Sequence, residues 1–189
     1  MIIGICGKAG SGKDTVADYL IKNKGYKCDI LAAPIKRAVM DIFVLDEETV
    51  YDRVKREQPL PQWPGWTVRK LLQYVGTELF REHIDNEIWV KSLCMRLDRD
   101  QDSNWVIPDV RFPDEHRGLQ RHFGERFRLL HVYRPGYYGQ TLGGIEGHAS
   151  EKHDLTAMAY AILNNEGSIA DLYAKVEKMW KENQWDIER

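Results

Sequence analysis

The chain has 189 residues, 43% hydrophobic and 30% charged, with a formal net charge of -2. That length supplies one sizeable core with appendages, and the near-neutral balance leaves no global field to draw the protein onto a polynucleotide or an anionic membrane. Three widely spaced cysteines, Cys6, Cys28 and Cys94, suit neither a disulfide framework nor a zinc knuckle, and no run of about 18 apolar residues occurs, so a cytoplasmic protein with reduced thiols is expected.

The first apolar run, Ile2 to Cys6, reads as a strand and enters the glycine-rich stretch GKAGSGKDT. The spacing Gly7-x4-Gly12-Lys13 is that of a phosphate-binding loop. In such a turn the backbone N–H groups around Gly7, Gly10, Ser11 and Gly12 point inward at phosphate oxygens. The helix that follows, Asp14 to Lys22, adds its positive dipole end, and Lys13 supplies a point charge. Asp14 stands where a hydroxyl is usual. A carboxylate beside polyphosphate is repelled unless Mg2+ or water intervenes, so Thr15 is the hydroxyl expected to reach a phosphate, with Mg2+ held largely through water. Asn23-Lys24-Gly25-Tyr26 lacks the Asp of the guanine-reading motif of GTPase switches.

A strand at Cys28 to Ala32 comes next, and then a helix at Ile35 to Phe43 opens an interval from 34 to 104 that is mostly helical and too long for one crossover. Within it, TVRKLLQYVGTELFRE predicts a helix over Val68 to Glu82 capped by Thr67, with Trp66 stapled to Leu71. At about 100° per residue, Val68, Leu71, Leu72, Val75 and Leu79 share an apolar face, while Arg69, Gln73, Thr77 and Arg81 form a polar stripe opposite. Arginines suit a phosphate, and the Gln73 amide offers the donor and acceptor pair of a base edge. Gly76, costly in mid-helix, implies a close approach by another group.

After a helix at Ile88 to Arg99, the strand Trp105 to Ile107 ends in PDVRF, placing Asp109 and Arg111 where ligand sites of open parallel sheets collect. Asp109 can orient Mg2+-bound water, and Val110, where motor ATPases carry a Glu, argues against hydrolysis. A helix at Asp114 to Phe123 precedes the strand Phe127 to Tyr133, which delivers Arg134 to a glycine-rich interval over 135 to 154. His148, Ser150 and Glu151 there can close over substrate, and His148 with His153 lacks a third metal ligand. The last strand, Tyr160 to Leu163, places Asn164 and Asn165 where they can meet an adenine, ahead of a helix at Ile169 to Asn183. Strands alternating with helices imply a parallel sheet covered on both faces.

In order along the chain, GKAGSGKDT, LLQYVGTELFRE with NEIWV, PDVRFPDE, YRPG, HASE and ILNNEGSI resemble the bacteriophage deoxynucleoside monophosphate kinases. That family sits within the P-loop nucleoside monophosphate kinase fold, and its loop matches Asp14. The resemblance implies an α/β three-layer fold in one domain over 1–189: a five-stranded parallel sheet with helices on both faces, a helical monophosphate-binding arm within 35–104 and a lid at 135–154. It implies that Gly12, Lys13 and Thr15 hold ATP phosphates, that Arg69 and Gln73 hold the acceptor nucleotide with Thr77, Arg81 and Glu151, and that Arg111 and Arg134 bind the phosphates in flight.

The implied reaction is Mg2+-dependent transfer of the ATP γ-phosphoryl to a deoxynucleoside monophosphate, with no polynucleotide or membrane partner. A homodimer is admitted but not indicated by the sequence. Two other readings share the loop: a kinase of another small phosphorylated metabolite, such as dephospho-coenzyme A, and a nucleotide-binding regulatory module without turnover.

Overall fold

The computed structural model describes residues 1–52, 54–136, 153–183 and 185. In chain order its first half contains β1 (Ile2–Cys6), α1 (Lys13–Lys24), β2 (Lys27–Cys28), α2 (Ala33–Phe43), α3 (Glu47–Tyr51), β3 (Pro59–Leu60), β4 (Trp63–Thr67) and α4 (Val68–Tyr74). A π-helical segment, Val75–Arg81, continues α4. Then follow α5 (Ile88–Leu97), β5 (Trp105–Ile107), α6 (Pro113–Phe123), β6 (Phe127–Tyr133), β7 (Ala161–Asn164) and α7 (Ile169–Glu182).

Five strands form one sheet in the order β2-β5-β1-β6-β7, every pairing parallel. β1 lies at the centre, with Ile2 in register with Trp105 on one side and Phe127 on the other. All five of its residues are buried, which is why it reads as a continuous apolar run rather than an alternating one. Successive side chains still leave by opposite faces. Ile3 and Ile5, with Leu130 and Val132, pack on Val16 and Leu20 of α1 and on Val176 and Trp180 of α7. Ile2 and Cys6, with Phe127 and Leu129, pack on Val39, Leu71, Leu93 and Leu119 from α2, α4, α5 and α6. Each such side chain contributes about 1.5 to 3 kcal/mol on leaving water, and the two clusters make the expected three layers.

Three expectations need correction. The strand foreseen over Cys28 to Ala32 stops at Cys28. Asp29 N still donates to the Val106 carbonyl, but the three amides after it are taken by carboxylates: Ile30 N donates to Asp29 Oδ1, and Leu31 N and Ala32 N donate to the two oxygens of Asp109, each at 2.9 Å for the Asp109 pair. The helix foreseen over Val68 to Glu82 is α-helical only to Tyr74. Because the π segment turns less per residue, Leu79 drifts off the apolar face and is 46% exposed. Finally, the antiparallel hairpin β3–β4 was not foreseen, since Pro64 and Gly65 interrupt its apolar pattern. Among the described residues no helix is long and apolar enough to cross a membrane.

Candidate active site

Between β1 and α1 the chain turns through Gly7, Gly10 and Gly12 at φ +134°, +75° and +105°. At Gly7 a Cβ would lie 2.3 Å from the Val132 carbonyl oxygen, and at Gly12 2.6 Å from the Asn165 amide nitrogen, so only glycine fits either place. Gly12 is the N-cap of α1 and brings no side-chain hydrogen bond to the first turn. The Ser11 hydroxyl is buried and has no hydrogen-bond partner among the described residues. A cradle of backbone donors, an orphaned hydroxyl and a helix N-terminus fit a polyphosphate. The Lys13 ammonium folds back over the loop and donates to the Lys8 carbonyl at 2.9 Å.

A cleft of about 230 Å3 opens beside this turn, and Gly10, Gly12, Lys13, Asp14, Thr15 and Arg134 line it together, as the sequence anticipates. The asparagine on its wall is Asn165, not Asn164. Asn165 donates from Nδ2 to the Ser11 carbonyl and from its backbone to the Tyr133 carbonyl, tying the loop to the ends of β6 and β7. Asn164, the last residue of β7, is exposed.

Asp109 lies past β5, half-buried, with one backbone N–H donated to each carboxylate oxygen. Burial pushes its pKa up against the two N–H groups and the nearby Arg111 and Lys36 charges. Its evident duty is to pin the turn that starts α2, so a metal contact through Asp109 would run through water. Arg111, two residues on, has its backbone N–H anchored on Glu115 Oε2 at 2.7 Å while the residue itself is exposed.

The polar stripe is not solvated. Arg69 is half-buried and donates to Glu57 Oε1 at 3.1 Å, while Gln73 and Arg81 are each 7% exposed. The Arg81 guanidinium stacks 4.0 Å over the Phe112 ring and donates to Asp114 at 2.6 Å and Glu115 at 3.3 Å. Glu115 thus links Arg81 to the backbone of Arg111 and Phe112. Its burial raises its pKa to about 7 despite those donors. A second, open cleft of about 740 Å3 is lined by Thr77, Arg81, Asn86 and Phe112 among others. The close approach expected at Gly76 is real: its Cβ position is 3.0 Å from Ile35 Cδ1, and its carbonyl accepts the Trp89 indole N–H at 2.8 Å.

Glu151, His148 and Ser150, with most of the expected lid, lie outside the described residues. Residues not singled out by the sequence act on charged groups near the loop. Asp154 accepts from the Thr156 backbone and hydroxyl, which hold its pKa down, and it acts on the His131 ring and the Cys6 thiol near Lys13. Burial drives that thiol to about 12, so Cys6 is an inert core residue rather than a nucleophile. Lys36, in the first turns of α2, has its pKa lowered by partial burial, with the Asp109 and Asp14 carboxylates acting the other way. Only its position just after a helix-starting Pro34 could have drawn notice in the sequence.

The comparisons with known proteins converge on this geometry. The family model for deoxynucleotide monophosphate kinase matches residues 1–60 and 54–176. A protein of Acanthamoeba polyphaga mimivirus, provisionally named a deoxynucleotide monophosphate kinase, is 32% identical over 93% of this chain and 94% of its own. The deoxynucleotide monophosphate kinase of Enterobacteria phage T4 is 28% identical over 61% of this chain and 46% of its own. Among solved structures, the shikimate kinase of Aquifex aeolicus superposes with a TM-score of 0.51 over 98% of this chain and 99% of that one, at 12% identity, a likeness of fold alone. The phosphate loop, the parallel sheet that carries it and a match running nearly end to end come together in one conclusion: the chain belongs to the deoxynucleotide monophosphate kinase family, and is a kinase.

Proposed function

We propose that the protein transfers the γ-phosphoryl group of ATP to a deoxynucleoside 5′-monophosphate, giving ADP and the deoxynucleoside diphosphate. The observation that carries this reading is the presence of two unlike clefts in one fold. One is the glycine cradle with Lys13 and Arg134; the other borders the arm that bears Gln73, Thr77 and Arg81. Asp109 and Arg111 lie past β5, the strand next to β1.

The acceptor is a phosphate oxygen already largely dianionic at neutral pH, its second pKa being about 6, so no strong general base is required. That oxygen attacks the γ-phosphorus as the bond to the β-bridging oxygen breaks, and the electron pair leaves with ADP. In this reading Lys13 and Arg134, which line one cleft, hold the donor phosphates, and Arg111 meets charge from the acceptor side. Thr15 on the donor cleft and Asp109 through water are the residues suited to Mg2+, which needs few protein ligands when phosphates and waters fill its octahedron. When bound, Mg2+ would neutralise charge that develops on the phosphates.

In this reading the arm within 35–104 takes the acceptor, with Arg69 anchored by Glu57 and Gln73 reading the base. Residues 135–154, Glu151 included, form a lid, and Asn165 in place of Asn164 meets the nucleotide at the loop. An assay of ADP release with each deoxynucleoside monophosphate as acceptor tests the reaction: turnover with at least one of them is expected, and ATP binding with turnover on none would overturn it.

Base reading by Gln73 makes a separate expectation. Its side chain is nearly enclosed, so a partner left without it costs about 1 to 3 kcal/mol. Gln73→Ala should lower kcat/KM for the preferred acceptor about tenfold or more and narrow its lead over other bases, with ATP affinity unchanged. An unaltered order of acceptors would remove Gln73 from recognition.

A further inference from the structure

We infer that Glu115 is a positioning residue for the acceptor, an inference that rests on the acceptor reading above. Its side chain is buried at the third position of α6, and each carboxylate oxygen has its own task. Oε2 accepts the backbone N–H of Arg111 at 2.7 Å and that of Phe112 at 2.9 Å, while Oε1 accepts from Arg81 Nη1 at 3.3 Å. The first task closes the start of the helix, where a Glu at the third position commonly reaches back to the N-cap N–H. A cap needs only that one oxygen. The other reaches out of α6 to the π-helical segment that continues α4.

Arg81 and Phe112 both line the open cleft, and Glu115 bonds to each, to the guanidinium of one and the backbone of the other. The guanidinium lies 4.0 Å over the ring, and Asp114 Oδ2 takes its second nitrogen at 2.6 Å. One buried carboxylate therefore sets the spacing of two wall residues that come from different elements. Arg111 precedes Phe112 by one residue, so the group that fixes the wall also fixes where Arg111 leaves the backbone. Charge-assisted bonds of this kind are strong and directional, and alignment of acceptor and donor for transfer needs that rigidity.

The competing account is a helix cap with a buried ion pair that adds stability and nothing else. Glu115→Gln separates the two. Its amide oxygen can stand in for Oε2 and keep both backbone bonds, whereas its NH2 group meets Arg81 with nothing to accept a proton. Arg81 keeps Asp114, so no buried charge is left without a partner and the variant should stay folded. Steady-state kinetics with the four common deoxynucleoside monophosphates, calorimetric titration with ATP and a melting curve would be run on the full chain, unsubstituted and with Glu115→Gln or Glu115→Ala. Glu115→Gln should raise the KM of the preferred acceptor about tenfold while ATP affinity stays within about twofold. Glu115→Ala, which frees the Arg111 N–H as well, should also lower kcat about tenfold below that of Glu115→Gln. If Glu115→Ala does not fold, the Gln variant decides alone. An acceptor KM in Glu115→Gln within about twofold of the unsubstituted value, whatever the melting temperature, would show a cap and overturn the inference. ATP weakened as much as the acceptor would overturn it too, as a general defect, and equal kcat in the two folded variants would overturn the tie to Arg111. Turnover of none of the four by the unsubstituted protein would instead bring down the acceptor reading, and the role of Glu115 with it.

Discussion

Lys13→Ala is expected to lower kcat about a thousandfold or more with little change in melting temperature. The ammonium sits at the rim of a cleft, half-buried, and lends itself to the loop through the Lys8 carbonyl. The fold does not depend on it: the cradle is set by Gly7 and Gly12 and by the Asn165 tie to Ser11. What is lost is a preorganised charge beside the moving phosphoryl group, and such electrostatic clamps are worth about 4 kcal/mol in the barrier. Steady-state kinetics and a melting curve on the same preparation decide the matter. A folded variant with near-normal turnover would mean that the loop binds nucleotide without using it.

The largest effect on stability is expected at Arg81. Arg81→Met leaves Glu115 buried with its cationic partner gone, and breaking one side of a buried pair costs about 3 to 5 kcal/mol. The loss must depend on pH. Burial holds the Glu115 carboxyl at about 7 in the folded protein, above its ordinary value of 4.5. A group raised in this way contributes stability that is full below the unfolded pKa and is lost as pH rises through the folded one, here between 4.5 and about 7. Without Arg81 the folded pKa climbs further, so the decline deepens and extends upward. Urea denaturation should therefore show a much larger deficit near pH 8 than near pH 5. Equal deficits at both would mean that Glu115 stays protonated throughout and that Arg81 acts only by packing on Phe112.

These two residues mark what was legible in the sequence. The phosphate loop is local: strand, glycines, lysine and helix fall within a dozen consecutive positions, and the cradle follows from backbone geometry alone. The sheet was legible for a related reason, since strands buried on both faces announce themselves as unbroken apolar runs. The fate of Arg81 was not. Its partners Asp114 and Glu115 come from α6, more than thirty positions away, and nothing in the stripe Arg69, Gln73, Thr77, Arg81 says that its ends will be claimed by carboxylates. β2 failed for the same cause in reverse, its apolar continuation being diverted by Asp109 from another strand end. Leu79 failed because a fixed angular period was applied across a stretch that does not keep it.

The π-helical stretch Val75–Arg81 also bears on how this family can vary. A π turn is equivalent to one residue inserted into an α-helix. Deleting a single residue between Val75 and Arg81 would let the helix close up, but it would swing everything downstream by about 100°. Arg81 would leave the Phe112 face and Glu115, and the Gly76 carbonyl would be drawn back from the Trp89 indole. Over these seven positions, length is more tightly constrained than composition. Exchanges of side chain at exposed sites such as Leu79 should accumulate among relatives, while insertions and deletions should be turned away to the loops on either side.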